Sequence, residues 1–284
     1  MKFKKQYDNL FEGGNAVQNV GPIEQKFVKA TLNGIDKEIL SKIGLKKQGP
    51  DWALLGSIGK KSVASGDIDI AINTHSILKN NPKVTTTEDI IPFIEKIMKK
   101  RGGDFTLSKG IGVFSLAFPI IGDKDKAVQL DLMITNNMDF TTWSYWSPRE
   151  TETKYKKMGF YRNLILSAIA SEGEKEVLKD KTIKKTYFDF SKGLGTKIVS
   201  FKSKLGKAIK NPLTLSRKIT LTVPEEITKK LLGKSATIAD TNSFESIFAR
   251  MSHKDFPFKS KIKNIKKNLK DGFERLGLPV PEEL

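Results

Sequence analysis

The chain contains no cysteine. Disulfides, thiolate metal sites and cysteine nucleophiles are thereby excluded, and the composition is easiest to reconcile with a reducing compartment. Histidine is nearly as scarce, with His75 and His253 the only two. They lie too far apart for a compact metal motif, and neither adjoins a recognisable nucleophile, so both read as structural. No apolar run approaches the roughly 18 residues of a membrane span. The start, Met1-Lys2-Phe3-Lys4-Lys5-Gln6-Tyr7, leads into polar residues rather than the apolar core of a secretory signal. The expectation is a cytoplasmic protein with no membrane partner. Internal repeats and low-complexity linkers are also missing.

Acidic side chains are in deficit as well. Fifty Lys and Arg face 32 Asp and Glu, a net charge of +18. The excess is uneven: residues 1–150 hold 21 basic and 17 acidic side chains, whereas residues 151–284 hold 29 and 15. A basic half of that size attracts polyanions through counterion release, and nucleic acid is the commonest such partner. The plainer alternative is lysine spent on solubility.

What is present has clear periodicity. Residues 1–21 include Gly13-Gly14-Asn15 and read as an irregular or flexible lead-in. After Pro22, apolar residues at Ile23, Phe27, Leu32, Ile35, Ile39 and Ile43 predict an amphipathic helix closed by Gly44. Trp52–Leu55 is a short apolar run that ends at Gly56-Ser57. Ile68, Ile70 and Ile72 alternate with Asp67, Asp69 and Ala71, a strand pattern. A second helix is expected over Glu88–Arg101, capped by threonine and ended by Gly102-Gly103. Strands are expected at Phe105–Leu107, Val113–Phe118 and Val128–Ile134. Beyond residue 150, Thr153–Ser171 reads as a helix. Tyr187–Phe190 and Lys197–Phe201 read as a hairpin around Gly193-Leu194-Gly195, which matches no dinucleotide fingerprint. Helices are expected again at Glu225–Leu232, Ser243–Met251 and Lys261–Leu276. The lysine-rich stretches 202–210 and 259–270 read as electropositive surface, the second on an amphipathic helix.

The chemistry concentrates in the first half. Gly56-Ser57 is followed, after nine residues, by Asp67-Ile68-Asp69-Ile70. Alternate side chains share a strand face, so Asp67 and Asp69 point the same way. Carboxylates that close repel unless a cation lies between them, and hard oxygen ligands suit Mg²⁺ or Mn²⁺. A third carboxylate, Asp131, interrupts the apolar run Val128-Gln129-Leu130-Asp131-Leu132-Met133-Ile134. If that strand lies beside the first, the three can bind two ions about 4 Å apart. Gly56-Ser57, taken as a strand-to-helix turn, lets backbone amides approach phosphate oxygens. The bland alternative is a polar turn followed by solvated aspartates.

Apolar-Gly-Ser, nine residues, Asp-apolar-Asp-apolar and a later strand-borne Asp resemble the DNA polymerase β-like nucleotidyltransferase superfamily, with phage-encoded members looking most similar. The likeness covers roughly residues 50–135, with Pro22–Ile43 and Thr153–Ser171 as flanking helices. It implies an NTP donor, two metal ions (Mg²⁺ or Mn²⁺) and transfer of a nucleoside monophosphate to a hydroxyl. Asp67, Asp69 and Asp131 would be the catalytic and metal residues, and Asp131 would also activate the acceptor. Gly56 and Ser57 would contact the triphosphate. Many relatives carry Arg-Gly shortly after the Gly-Ser, whereas this chain has Lys60-Lys61, which meet phosphate as point charges.

Weaker candidates surround this set. Trp143, Tyr145 and Trp146 could stack on a base or simply be buried. Arg149, Lys154 and Arg162 could reach phosphates or line a solvated helix face, and Lys109 is a site candidate or part of a turn. The expected fold class is α+β: a mixed or antiparallel nucleotidyltransferase core sheet flanked by helices over 22–150. A basic, mainly helical C-terminal domain with a β-hairpin would occupy 151–284. The expected activity is nucleotidyl transfer from an NTP to a nucleic acid, an RNA end first. The alternatives are a protein, small-molecule or nucleotide acceptor, or a non-catalytic binding protein on the same scaffold.

Overall fold

The structure is a computed structural model that describes residues 16–108, 112–155, 158–202 and 208–284. It is an α+β protein whose chain divides into two compact units meeting at Thr151 and Glu152.

The first unit is organised around a five-stranded mixed sheet. Its strands are β2 (Trp52–Leu54), β4 (Asp67–Asn73), β5 (Phe105–Ser108), β6 (Val113–Pro119) and β7 (Ala127–Thr135), in the order β2-β4-β7-β6-β5. Only β4 and β7 run parallel; the other neighbours are antiparallel. A second, two-stranded ribbon pairs β1 (Ile23–Glu24) with β3 (Ala64–Ser65).

Strand alternation gives the central sheet two unlike faces. Ile68, Ile70 and Ile72 of β4, Val128, Leu130 and Leu132 of β7, and Phe114, Leu116 and Phe118 of β6 are all buried on one face. Helices α1 (Gln25–Ile35) and α3 (Ile90–Arg101) contribute Val28, Ile35, Ile94 and Met98 to the same core. Burial of that many branched and aromatic side chains, at about 25 cal/mol per Å² of apolar surface, is what holds β4 and β7 side by side. The opposite face carries the polar residues.

The helix expected from Pro22 to Ile43 starts after a two-residue strand and has an irregularity of its own. Past Ile35 it widens into a π turn over Asp36–Leu40, where the Ser41 amide bonds back to the Asp36 carbonyl. The inserted residue shifts the helical face, so that Leu40 is buried together with Ile39 and Ile43. Helix α3 keeps its expected signals. Thr86 and Asp89 form a capping box before it, and Gly102, at φ +81°, ends it. Two short helices complete the unit, α2 (Thr74–Asn80) after β4 and α4 (Met138–Ser144) after β7.

Several expectations need correction. The lead-in is flexible in expectation, but from Ala16 onward the described part is tied to β7. The Gly21 amide donates to the Ala127 carbonyl and the Ala16 amide to the Gln129 side chain. No helix follows Gly56-Ser57. The chain makes a turn closed by the Lys60 amide on the Ser57 carbonyl and then enters β3. The residues between (Ile58-Gly59 and Ser62–Gly66) are too short and too rich in glycine and serine to nucleate one.

In the second unit, the helix expected from Thr153 begins at Met158 as α5 (Met158–Ser171). Thr153 and Lys154 are drawn off instead to Glu245, Glu282 and Glu283, and the Tyr155 hydroxyl donates to Glu283. The expected hairpin is the centre of a four-stranded antiparallel sheet, ordered β11-β10-β9-β8. Its strands are β8 (Lys175–Val177), β9 (Ile183–Asp189), β10 (Gly193–Lys202) and β11 (Ala208–Leu221). β11 carries Pro, Ser, Arg and Lys among its apolar residues, so no clean alternation marks it. Helices α6 (Pro224–Leu232), α7 (Phe244–Arg250) and α8 (Ile262–Arg275) follow close to their expected places.

Candidate active site

The polar face of the first sheet collects three carboxylates. Asp67 and Asp69 project from β4, and the parallel register sets Asp69 directly opposite Asp131 on β7. One ligand oxygen from each of the three lies within 4.8 Å of the others, a cluster that could hold a metal ion. The isoleucines between and beyond the β4 aspartates anchor the strand in the core, so the carboxylates cannot swing apart by moving backbone.

The electrostatics record the crowding. Asp69 is raised well above the ordinary carboxylate range, first by burial and then by the charges of Asp67 and Asp131. Asp67 is raised by burial and by Asp131, with Lys61 opposing. Asp131, 6% exposed, is raised by burial against hydrogen bonds from Ser115 and Gln129. Three oxygen-donor groups, with no sulfur or imidazole among them, match the preferences of a hard divalent cation such as Mg²⁺ or Mn²⁺.

Two supporting residues escaped the sequence reading. Gln129 is fully buried, and its Nε2 donates to both Asp131 oxygens at 3.1 and 3.0 Å. Its Oε1 accepts the Ala16 amide at 3.0 Å, which fixes the amide so that the NH₂ faces the carboxylate. Ser115, opposite Asp131 on β6, supplies a further hydrogen bond. Both are polar residues inside otherwise apolar strands, on the aspartate-bearing face. That was the available signal.

The Gly-Ser turn lies against the cluster. Gly56 has φ +59°, and a Cβ there would stand 2.6 Å from Asp69 Oδ2. Glycine is therefore required both by the left-handed backbone and by the close approach of the carboxylate. The Gly56 amide is already committed to the Tyr145 carbonyl. The Ser57 amide and hydroxyl, by contrast, donate to no described residue and remain available to an anion.

A strap of residues from 145 to 150 holds this turn. Gly56 bridges to Trp146, the Lys60 ammonium donates to the Ser147 carbonyl at 2.7 Å, and Glu150 accepts from the Ser62 amide and hydroxyl. Lys60 also sits 3.8 Å from the centroid of the Trp146 ring. Its charge is thus spent on the strap, whereas Lys61 is the lysine that acts electrostatically on Asp67. Of the three aromatics considered, Trp143 is buried against Phe140, Tyr145 caps α4, and Trp146 is 37% exposed.

The remaining candidates disperse. Arg162 is fully buried within the second unit, where its guanidinium meets the Thr241 carbonyl and Asn163, so it cannot serve as a surface phosphate ligand. Lys154 is paired with Glu282 and Glu283. Arg149 is exposed, and Lys109 lies outside the described residues. His253 bonds Asp255 beside Arg250 in the second unit, and the exposed His75 follows the cap of α2.

No protein-family model matches the chain, and no curated protein matches it significantly. Among the described residues, no helix is long and apolar enough to cross a membrane.

Proposed function

We propose that this protein is a metal-dependent nucleotidyltransferase that moves a nucleoside monophosphate from an NTP to a hydroxyl of a nucleic acid, an RNA end in the first instance. The observation that carries the reading is the Asp67–Asp69–Asp131 cluster, closed to within 4.8 Å on one polar sheet face with the Gly56-Ser57 turn against it. The acceptor class rests on the basic C-terminal half.

In this reading Asp67 and Asp69 hold the divalent cations, with Asp131 completing the set. Bound there, such ions supply Lewis acidity to the triphosphate and lower the pKa of a bound hydroxyl. The acceptor oxygen attacks the α-phosphorus, the bond from that phosphorus to the bridging oxygen breaks, and pyrophosphate leaves. The hydroxyl proton passes to an oxygen of Asp131, which Gln129 and Ser115 hold in a single orientation. Ser57 offers its amide and hydroxyl to a phosphate oxygen, and Lys61 adds a positive charge near Asp67. The strap of residues 145–150 keeps the turn in place before substrate arrives, so little ordering remains to be done on binding.

The test is incubation of the protein with Mg²⁺ or Mn²⁺, each labelled NTP in turn, and total RNA, beside Asp67→Ala and Asp69→Ala. Label entering RNA with the wild type alone supports the assignment. Label on protein or in a small product moves the acceptor to another class. Transfer retained in both variants, or absent throughout, overturns it.

A further inference from the structure

Four cations stand in line across the second sheet. Lys175 on β8 is directly opposite Lys185 on β9, Lys185 is opposite Lys197 on β10, and Lys197 is opposite Arg217 on β11. Strands lie about 4.8 Å apart, so the line is about 14 Å long. Like charges placed directly opposite one another destabilise a sheet, and four in succession is not what solvated lysines scattered for solubility would produce.

Burial first, and then mutual repulsion, lower both inner lysines. Lys197 is brought down to about 8, first by burial and then by Lys185 and Arg217. Burial and Lys175 lower Lys185, with Glu172 opposing. Glu172, 3.4 Å from Lys175, offsets one end of the line. At the other end Lys197 and Arg217 both lie over the ring of the buried Tyr187, at 5.4 and 5.7 Å from its centroid, which holds the two heads close together.

The same strands carry exposed apolar residues. Val177, two residues after Lys175 on β8, is 72% exposed, and Phe201, beyond Lys197 on β10 where the register with β11 shifts, is 44% exposed. Phe201 is four residues from Lys197, about 13 Å along the strand. A line of cations with an exposed aromatic ring about 13 Å along one of its strands has the composition of a single-strand platform, on which phosphates meet the charges and a base stacks on the ring.

We propose that the β8–β11 sheet carries a binding track for single-stranded nucleic acid, with Lys175, Lys185, Lys197 and Arg217 on the phosphates and Phe201 under a base. The proposal rests on the reading of nucleotidyl transfer only for preferring nucleic acid over other polyanions. Its binding test uses no metal and no NTP, so the two can fail separately.

Full-length protein is titrated with a fluorescent single-stranded oligonucleotide over a range of salt concentrations. The expected effect of K185Q/R217Q is a log–log salt slope shallower by about 1.4, two phosphate contacts at about 0.7 each. F201A should weaken binding about tenfold with the slope unchanged. K263Q/K270Q, on the exposed face of α8, has the same net charge as the sheet double variant and should keep the wild-type slope. Removing two repelling charges should leave the melting midpoint of K185Q/R217Q no lower than that of the wild type, which separates lost contact from lost fold. The proposal is overturned if K185Q/R217Q keeps the wild-type slope or if K263Q/K270Q flattens it equally. It is also overturned if the sheet variant loses binding to anionic vesicles or an acidic peptide while oligonucleotide binding persists.

Discussion

Replacing Asp69 by Asn should make the metal-free protein more stable and the metal-loaded protein less so. The carboxylate oxygens of the triad lie within 4.8 Å of one another. At an effective dielectric of about 20, two unit charges at that distance repel by about 3.5 kcal/mol. Asp69 faces two such partners, and proton uptake caps the penalty that the native protein carries. Neutralising it should release about 1–3 kcal/mol, or about 2–10 °C in melting midpoint for a unit of this size. The pH dependence follows with a definite sign. Burial and mutual repulsion raise all three carboxyls in the folded protein. Their contribution to stability is therefore present below the unfolded carboxylate value and lost as pH rises through the raised folded values. Without metal the wild type should weaken across that window, and D69N should weaken less. A divalent cation at about 100 times its dissociation constant adds about 2.7 kcal/mol to whichever protein binds it. It should lift the wild type and leave D69N nearly unmoved. Thermal melts followed by circular dichroism in EDTA, Mg²⁺ and Mn²⁺, at two or three pH values, read all of this. A metal-free D69N that melts below the wild type, or one that gains the same metal-dependent shift, would refute the account of the site.

Gly56→Ala should cost about 1–2 kcal/mol for the left-handed backbone and displace the Asp69 carboxylate as well, so transfer should fall even where the fold survives; melting and label transfer on one preparation separate the effects. Gln129→Leu removes the two hydrogen bonds that Gln129 gives Asp131, leaving that of Ser115, and strands the Ala16 amide. Loss of such a supporting contact typically lowers metal affinity or activity about 10–100-fold, and Mn²⁺ titration by paramagnetic resonance would detect it without substrate. Phe114→Ala, in the fully buried face of β6, should destabilise by about 3–5 kcal/mol, measurable by urea unfolding. A loss below about 1 kcal/mol there would contradict the packing of β6 between β5 and β7.

Local pattern was enough for much of this molecule. Alternation of isoleucine with aspartate in Asp67–Ile72, the single charge inside Val128–Ile134 and the cap signals around Ile90–Arg101 each specify an element and the face it buries, because a strand has period two and a helix must satisfy its ends. The candidate carboxylates and the Gly-Ser turn were legible for the same reason. Gln129 and Ser115 were legible in principle, as polar residues on the same face of apolar strands, but nothing local says that a buried amide must meet a carboxylate.

Tertiary structure alone decided the rest. The parallel pairing of β4 with β7, which sets Asp69 opposite Asp131, depends on a crossover through β5 and β6 that no short window contains. The committed Gly56 amide and the strap on Lys60 come from residues about 90 positions away along the chain. Arg162 looks like a surface cation in sequence and is buried because the turn at Thr241 meets its guanidinium. The line of four cations has the same origin: each residue is an ordinary lysine or arginine until antiparallel register places them side by side. Sequence determines which side chains share a face of one element. Which elements become neighbours, and in what register, is settled only when the whole core closes.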